Sequence, residues 1–167
     1  MSQKLRRYTL RSKESKQILM QASEKLKFNL ESVFGSKATV EIVEADLGDL
    51  LLFDGKPVLF RIGDAVLPTL LATEILKQLP KAVVDMGAVR FVCNGADVMA
   101  PGIVRYEGTF GKGDLVVVVD VKHSKPLAVG EALVGFDEAK ATKQGPIIKS
   151  KHYVSDKVWS SMKVLSE

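Results

Sequence analysis

Few side chains in this 167-residue chain have the type and spacing that covalent or metal chemistry needs. Asp46, Asp49, Asp54 and Asp64 form the most suggestive group of carboxylates, but their spacing matches no calcium loop and two of them fall where turns are expected. The two histidines, His123 and His152, are too few and too isolated for a zinc site. Cys93 is the only cysteine, which excludes an intrachain disulfide and a cysteine-rich metal site and suits a reducing, cytoplasmic setting. No phosphate loop, nucleophile elbow or dinucleotide fingerprint is present. The residues give no support to an enzyme, no metal or cofactor is expected, and non-covalent binding remains.

Charge gives that binding a direction. The net charge is only +4, but it is unevenly spread. Residues 1–37 carry nine Lys/Arg against three acids, residues 38–80 three against seven, and residues 139–163 six lysines against Asp156 alone. Two basic segments separated by an acidic one fit either a polyanion-binding face assembled by folding or a pair of solvated lysine-rich surfaces. With 46% apolar and 26% charged residues the composition is that of a globular protein, and the apolar runs are far shorter than the roughly 20 residues of a membrane helix. The basic first residues are followed by no apolar stretch of the kind a secretory signal needs.

The elements that must position these groups fall into two modules, 1–79 and 80–162. In the first, Lys4–Leu10 reads as a short strand. A helix follows from Lys13 to Phe34, capped by Ser12 and striped with Ile18, Ala22, Leu26, Leu30 and Val33, with Gly35 as its stop. Thr39–Val43 alternates like a strand. Leu50–Phe53 and Val58–Ile62 flank Asp54-Gly55, the dipeptide of a tight hairpin, and Pro57 belongs at the start or edge of its strand. Pro68 suits the first turn of a second helix with Leu67, Leu71, Ile75 and Leu79 on one face, ended by Pro80. Leu79-Pro80-Lys81 is too short for a flexible tether, so the modules are expected to pack together. After Pro80 the pattern is mostly β: Ala82–Asp85, Leu115–Val121, Pro126–Gly135 and Pro146–Val154, with frequent glycines marking turns. Gly87–Asn94 reads equally as strand or as one or two helical turns, and Asp156–Met162 as a final helix packing through Val158, Trp159 and Met162. The fold class is α+β, a small α/β domain on a β-pseudobarrel.

Three short elements carry a family resemblance: Asp85-x-Gly87-Ala88, Gly95-Ala96-Asp97 and Pro101-Gly102-Ile103. Together they resemble the signature of the PUA domain, a pseudobarrel RNA-binding module. The chain end, His152-Tyr153-x-x-Asp156-x-x-Trp159-x-x-Met162, with Pro68-Thr69-Leu70 and Pro80 upstream, is similar to the malignant T-cell-amplified sequence family, which joins an N-terminal α/β domain to a C-terminal PUA domain. The chain runs from Ile103 directly into Val104-Arg105-Tyr106, where the eukaryotic relatives have a longer loop, so it looks more like the archaeal branch.

The resemblance implies a non-catalytic partner of tRNA or rRNA, acting on the small ribosomal subunit in initiation, reinitiation or recycling, with a translation-factor protein as a further partner. No DNA and no membrane enter this expectation. The alternative is an RNA-recognition accessory subunit for a separate modification enzyme. By resemblance, RNA lies along Gly87–Asn94, the turn to Met99, and the last strand, so the expected face is Gly87, Ala88, Arg90, Asn94, Gly95, Ala96, Asp97, Met99, Lys149, Lys151 and His152. Small residues at 87, 88, 95 and 96 let a backbone approach closely, and Lys149 and Lys151, two apart on a strand, share a face as a phosphate track requires. The plainer readings are that Gly87 and Gly95 serve turns, Asp85 and Asp97 hold backbone N–H groups, Met99 is core, His152 hydrogen-bonds internally, Trp159 anchors the C-terminus, and Cys93 is a small buried residue.

Overall fold

The structure is a computed structural model that describes residues 6–165. Lys4 and Leu5 of the expected first strand lie outside the described residues. The chain divides into two compact units, one reaching Ile75 and taking in the chain end from Ser160, the other spanning Leu76–Trp159.

The first unit is an antiparallel meander of β1 (Arg6–Thr9), β2 (Val40–Ala45), β3 (Gly48–Phe53), β4 (Lys56–Ile62) and β5 (Ala65–Pro68), in that order across the sheet. The hairpin between β3 and β4 turns on Asp54 and Gly55, at φ +50 and +85, the paired positive angles that match strand twist. Leu50, Leu51, Leu52 and Phe53 are all buried, so this central strand is covered on both faces. Pro57 sits near the start of β4, opposite Leu52, where the register of the pair shifts. Helix α1 (Ser12–Leu26) buries Ser15, Leu19, Ala22 and Leu26, one stripe at helical spacing.

Two expectations for this unit fail. The helix expected over 13–34 breaks at Lys27, which adopts φ +56 and closes the turn through its N–H to Glu24 O. A separate turn, α2 (Glu31–Phe34), follows. Arg11, not Ser12, is the N-cap residue. The helix expected from Pro68 is also absent: Pro68 ends β5 opposite Leu59, and Thr69 bonds back to the backbone of Pro57 and Val58. The only helix there is the single turn α3 (Thr73–Leu76).

The second unit is a six-stranded mixed sheet. It comprises β6 (Lys81–Val84), helix α4 (Met86–Val92), β7 (Val98–Met99), a 3-10 turn Ala100–Gly102, β8 (Ile103–Glu107), β9 (Leu115–Asp120), β10 (Pro126–Ala132), helix α5 (Phe136–Ala141) and β11 (Pro146–Tyr153). The strand order is β7-β11-β10-β9-β6-β8, and β6 runs parallel to β9. Ala82, Val84, Val98, Val116, Val118, Ala128, Ile147 and Ile148 converge on one apolar cluster, so the sheet curls around a single core. Gly87–Asn94 resolves as helix because Asp85 caps it: its Oδ1 accepts the Ala88 N–H at 2.9 Å. The chain ends in α6 (Lys157–Leu165), with Asp156 Oδ1 accepting the Trp159 N–H at 2.7 Å. Strand β8 and helix α5 have no counterpart in the sequence reading.

Candidate nucleic-acid interface

Residues 85–102 form a closed excursion between β6 and β8, with β7 pairing to β11 at the sheet edge on the way back. It opens at Asp85, whose N–H donates to Gly102 O at 3.0 Å, and its far end turns at Gly95, with φ +89. The returning segment is tied down along its length: the Ala96 N–H reaches Phe91 O, Asp97 Oδ1 accepts the Ser150 N–H at 3.0 Å, β7 pairs with β11, and the Ala100 N–H donates to Gly145 O. Between α4 and this segment lies a groove of about 380 Å3, lined by Asp85, Gly87, Ala88, Phe91, Val92, Ala96–Met99, Pro101 and Gly102.

The lining is mainly apolar, with two carboxylates. Phe91 is 53% exposed and Met99 47%, side chains that a fold concerned only with its own core would bury. The Arg90 guanidinium lies 4.8 Å from the Phe91 ring centre, a cation–π contact at the groove's edge. Asp85 and Asp97 each commit one oxygen to a backbone N–H. Such a groove suits a flat, apolar-faced group with polar edges better than a phosphate, which the carboxylates would repel.

Of the expected face, Gly87, Ala88, Ala96, Asp97 and Met99 come together here. Met99 is a groove residue and not core. Arg90 and Asn94 are exposed alongside on α4 and its following turn. Gly95 departs from the close-approach reading: a Cβ there would lie 2.9 Å from the Tyr153 ring, so the position serves internal packing and its positive φ. Lys149 and Lys151 are both exposed on β11, where the register shift between Val129 and Gly130 leaves Lys151 as the extra residue, 3.8 Å from Glu131. His152 drops out of the face. Its side chain is fully buried, with Nδ1 2.8 Å from Asp156 Oδ2, so RNA has no access to it. Cys93 is half-buried, and burial pushes its thiol up despite the nearby Lys125.

Phe91, like Asp85, is a groove residue that the expected face left out. An aromatic residue in a short amphipathic helix reads as core, and the only signal against this was the crowding of apolar residues at 89, 91 and 92, which one helix face cannot all bury. Among the described residues no group of three His, Cys, Asp or Glu is placed to hold a metal, and no helix is long and apolar enough to cross a membrane.

Comparison with known proteins agrees with the fold. The PUA domain model matches residues 80–154, and the model of a domain of unknown function, DUF1947, matches residues 6–78. The chain is 42% identical over 158 residues to protein MJ1432 of Methanocaldococcus jannaschii, covering 93% of this chain and 96% of that one. It is 28% identical over 139 residues to Translation machinery-associated protein 20 of Saccharomyces cerevisiae, covering 78% and 77%. Among solved structures, a PUA domain protein from Aeropyrum pernix K1, crystallised with tartrate, superposes with a TM-score of 0.85 at 25% identity, covering 98% of this chain and 94% of that one.

Proposed function

Since the chain belongs to the malignant T-cell-amplified sequence family of translation-associated PUA-domain proteins, we propose that it is a non-catalytic RNA-binding protein that works with the small ribosomal subunit in initiation, reinitiation or recycling. The groove between α4 and Ala96–Gly102 carries this reading. An unpaired nucleobase placed there has the exposed Phe91 ring to stack on, and the free oxygens of Asp85 and Asp97 to accept from a ring N–H or exocyclic amine. Its phosphates stay outside, toward Arg90 and Lys149, whose positive charges no acidic side chain neutralises among the described residues.

Crosslinking the protein to RNA in cells, sequencing the bound fragments and running lysate through a density gradient tests the whole reading. Small-subunit rRNA or initiator tRNA among the fragments, with the protein co-sedimenting with the small subunit, is the expected result. Recovery of a modification enzyme with its substrate RNA, away from ribosomal fractions, would favour an accessory role in RNA modification. Recovery without RNA would contradict both.

A further inference from the structure

The hairpin between β9 and β10 holds the remaining concentration of positive charge on the second unit. Its tip, Lys122-His123-Ser124-Lys125, is exposed throughout, and no acid occurs between Asp120 and Glu131. Asp120 itself is only 4% exposed and turned inward. Its Oδ1 accepts the His123 N–H at 2.5 Å and its Oδ2 the Lys125 N–H at 3.1 Å, while its backbone oxygen takes the Ser124 N–H. The His123 and Lys125 backbone donors hold this carboxyl below its usual range, and in doing so they fix the loop's shape. Lys122 and Lys125 have no acidic partner among the described residues, unlike Lys151 beside Glu131 and Lys140 beside Asp137. The tip is therefore a fixed presentation of two exposed lysines that make no ion pair among the described residues.

Topology puts this tip beside the groove. β6 and β9 are parallel with Val84 opposite Asp120, so the chain leaves both strands at the same end of the sheet. One strand leads through Asp85 into α4 and the groove, the other into the tip. The Val121 N–H donates to Val84 O at 2.9 Å, tying the root of the tip to the residue before Asp85. At that same end, Ala128 pairs with Tyr153, against whose ring Gly95 packs.

We propose that the Lys122–Lys125 tip is a second phosphate-contacting element, which grips the RNA backbone as it leaves the groove. This rests on the reading of the groove as an RNA site and extends it to a surface outside the PUA signature residues. Lys122 and Lys125 act as point charges on phosphates, so their contribution is independent of base sequence and visible in salt dependence.

The test is the salt dependence of binding a fluorescent 20-nucleotide oligouridylate to the full chain. Lys122→Ala/Lys125→Ala is compared with Lys112→Ala/Lys143→Ala, which removes the same charge. Lys112 and Lys143 precede β9 and β11 and so lie at the other end of those strands. All four lysines are exposed, and thermal melts matching wild type confirm that folding is intact. The tip variant should flatten the log–log salt slope by about 1.4, two single-strand phosphate contacts, and bind roughly 25-fold more weakly at 0.1 M salt. The control should keep the wild-type slope. An unchanged slope in the tip variant, or equal flattening in both, would overturn the proposal. Failure of the wild type itself to bind would instead overturn the underlying RNA reading.

Discussion

Phe91 and Asp156 mark the two ways a residue here departs from its sequence neighbours. Phe91 stays half in water on a helix whose next residue, Val92, is buried, and Arg90 lies over its ring. Stacking an unpaired base on such a ring is worth about 1–3 kcal/mol. Phe91→Ala should therefore weaken RNA binding by that amount in fluorescence anisotropy and leave the melting temperature nearly unchanged. Asp156 works inward. Burial alone would raise its pKa, but the hydrogen bond with His152 and the N–H groups of Trp159 and Tyr153 outweigh it and hold the carboxyl below its ordinary 3.8. Its stabilisation is complete above the unfolded-state value and is lost as pH falls through the lower folded-state value. Thermal melts of the wild type should drop steeply below about pH 4. Asp156→Asn should be less stable than wild type at neutral pH, by roughly 1–3 kcal/mol, and lose less on acidification. Parallel acid curves for the two proteins would show that another group controls this limb.

At the scale of elements, sequence periodicity worked where one strand or helix ran straight and failed where a turn preserved the phase. The hairpin at Asp54-Gly55 was legible because both residues tolerate positive φ, and the valine run Leu115–Asp120 because β-branched residues gather in buried strands. The break at Lys27 was invisible: a lysine at positive φ has no sequence signature, and Leu30 and Val33 continued the stripe beyond it. The stretch from Leu67 misled in a similar way: Leu67, Leu71, Ile75 and Leu79 recur every four residues, but a strand end, a turn and one helical turn carry them, and of the four only Leu67 and Ile75 are buried. The excursion 85–102 was located by its signature residues, but the signature gave no sign that Gly95 faces Tyr153. Gly95→Ala tests that correction. With φ +89 and a Cβ 2.9 Å from the Tyr153 ring, it should cost more than the roughly 1–2 kcal/mol of a left-handed backbone alone, read as a lowered denaturation midpoint. A wild-type midpoint would return Gly95 to a role in admitting RNA.

For the molecule as a whole, charge counts along the chain proved a coarse guide. The basic N-terminal segment is compensated in part once folded, at Arg6 and Arg7. Arg7 holds Glu41 through two contacts, at 2.6 and 3.1 Å, and its hydrogen bond keeps that carboxyl below the usual range; Arg6 stands 3.9 Å from Glu44. Lys149, Lys122 and Lys125 are the phosphate track proposed here because they stand on the unit that holds the groove and make no ion pair among the described residues. One measurement decides between these surfaces: photocrosslinking of RNA containing 4-thiouridine to the full chain, with the crosslinked peptides mapped by mass spectrometry. Crosslinks are expected within Asp85–Gly102, with Phe91 and Met99 the leading sites. Crosslinks confined to the residues around Arg6–Lys16, with none in the groove, would contradict it.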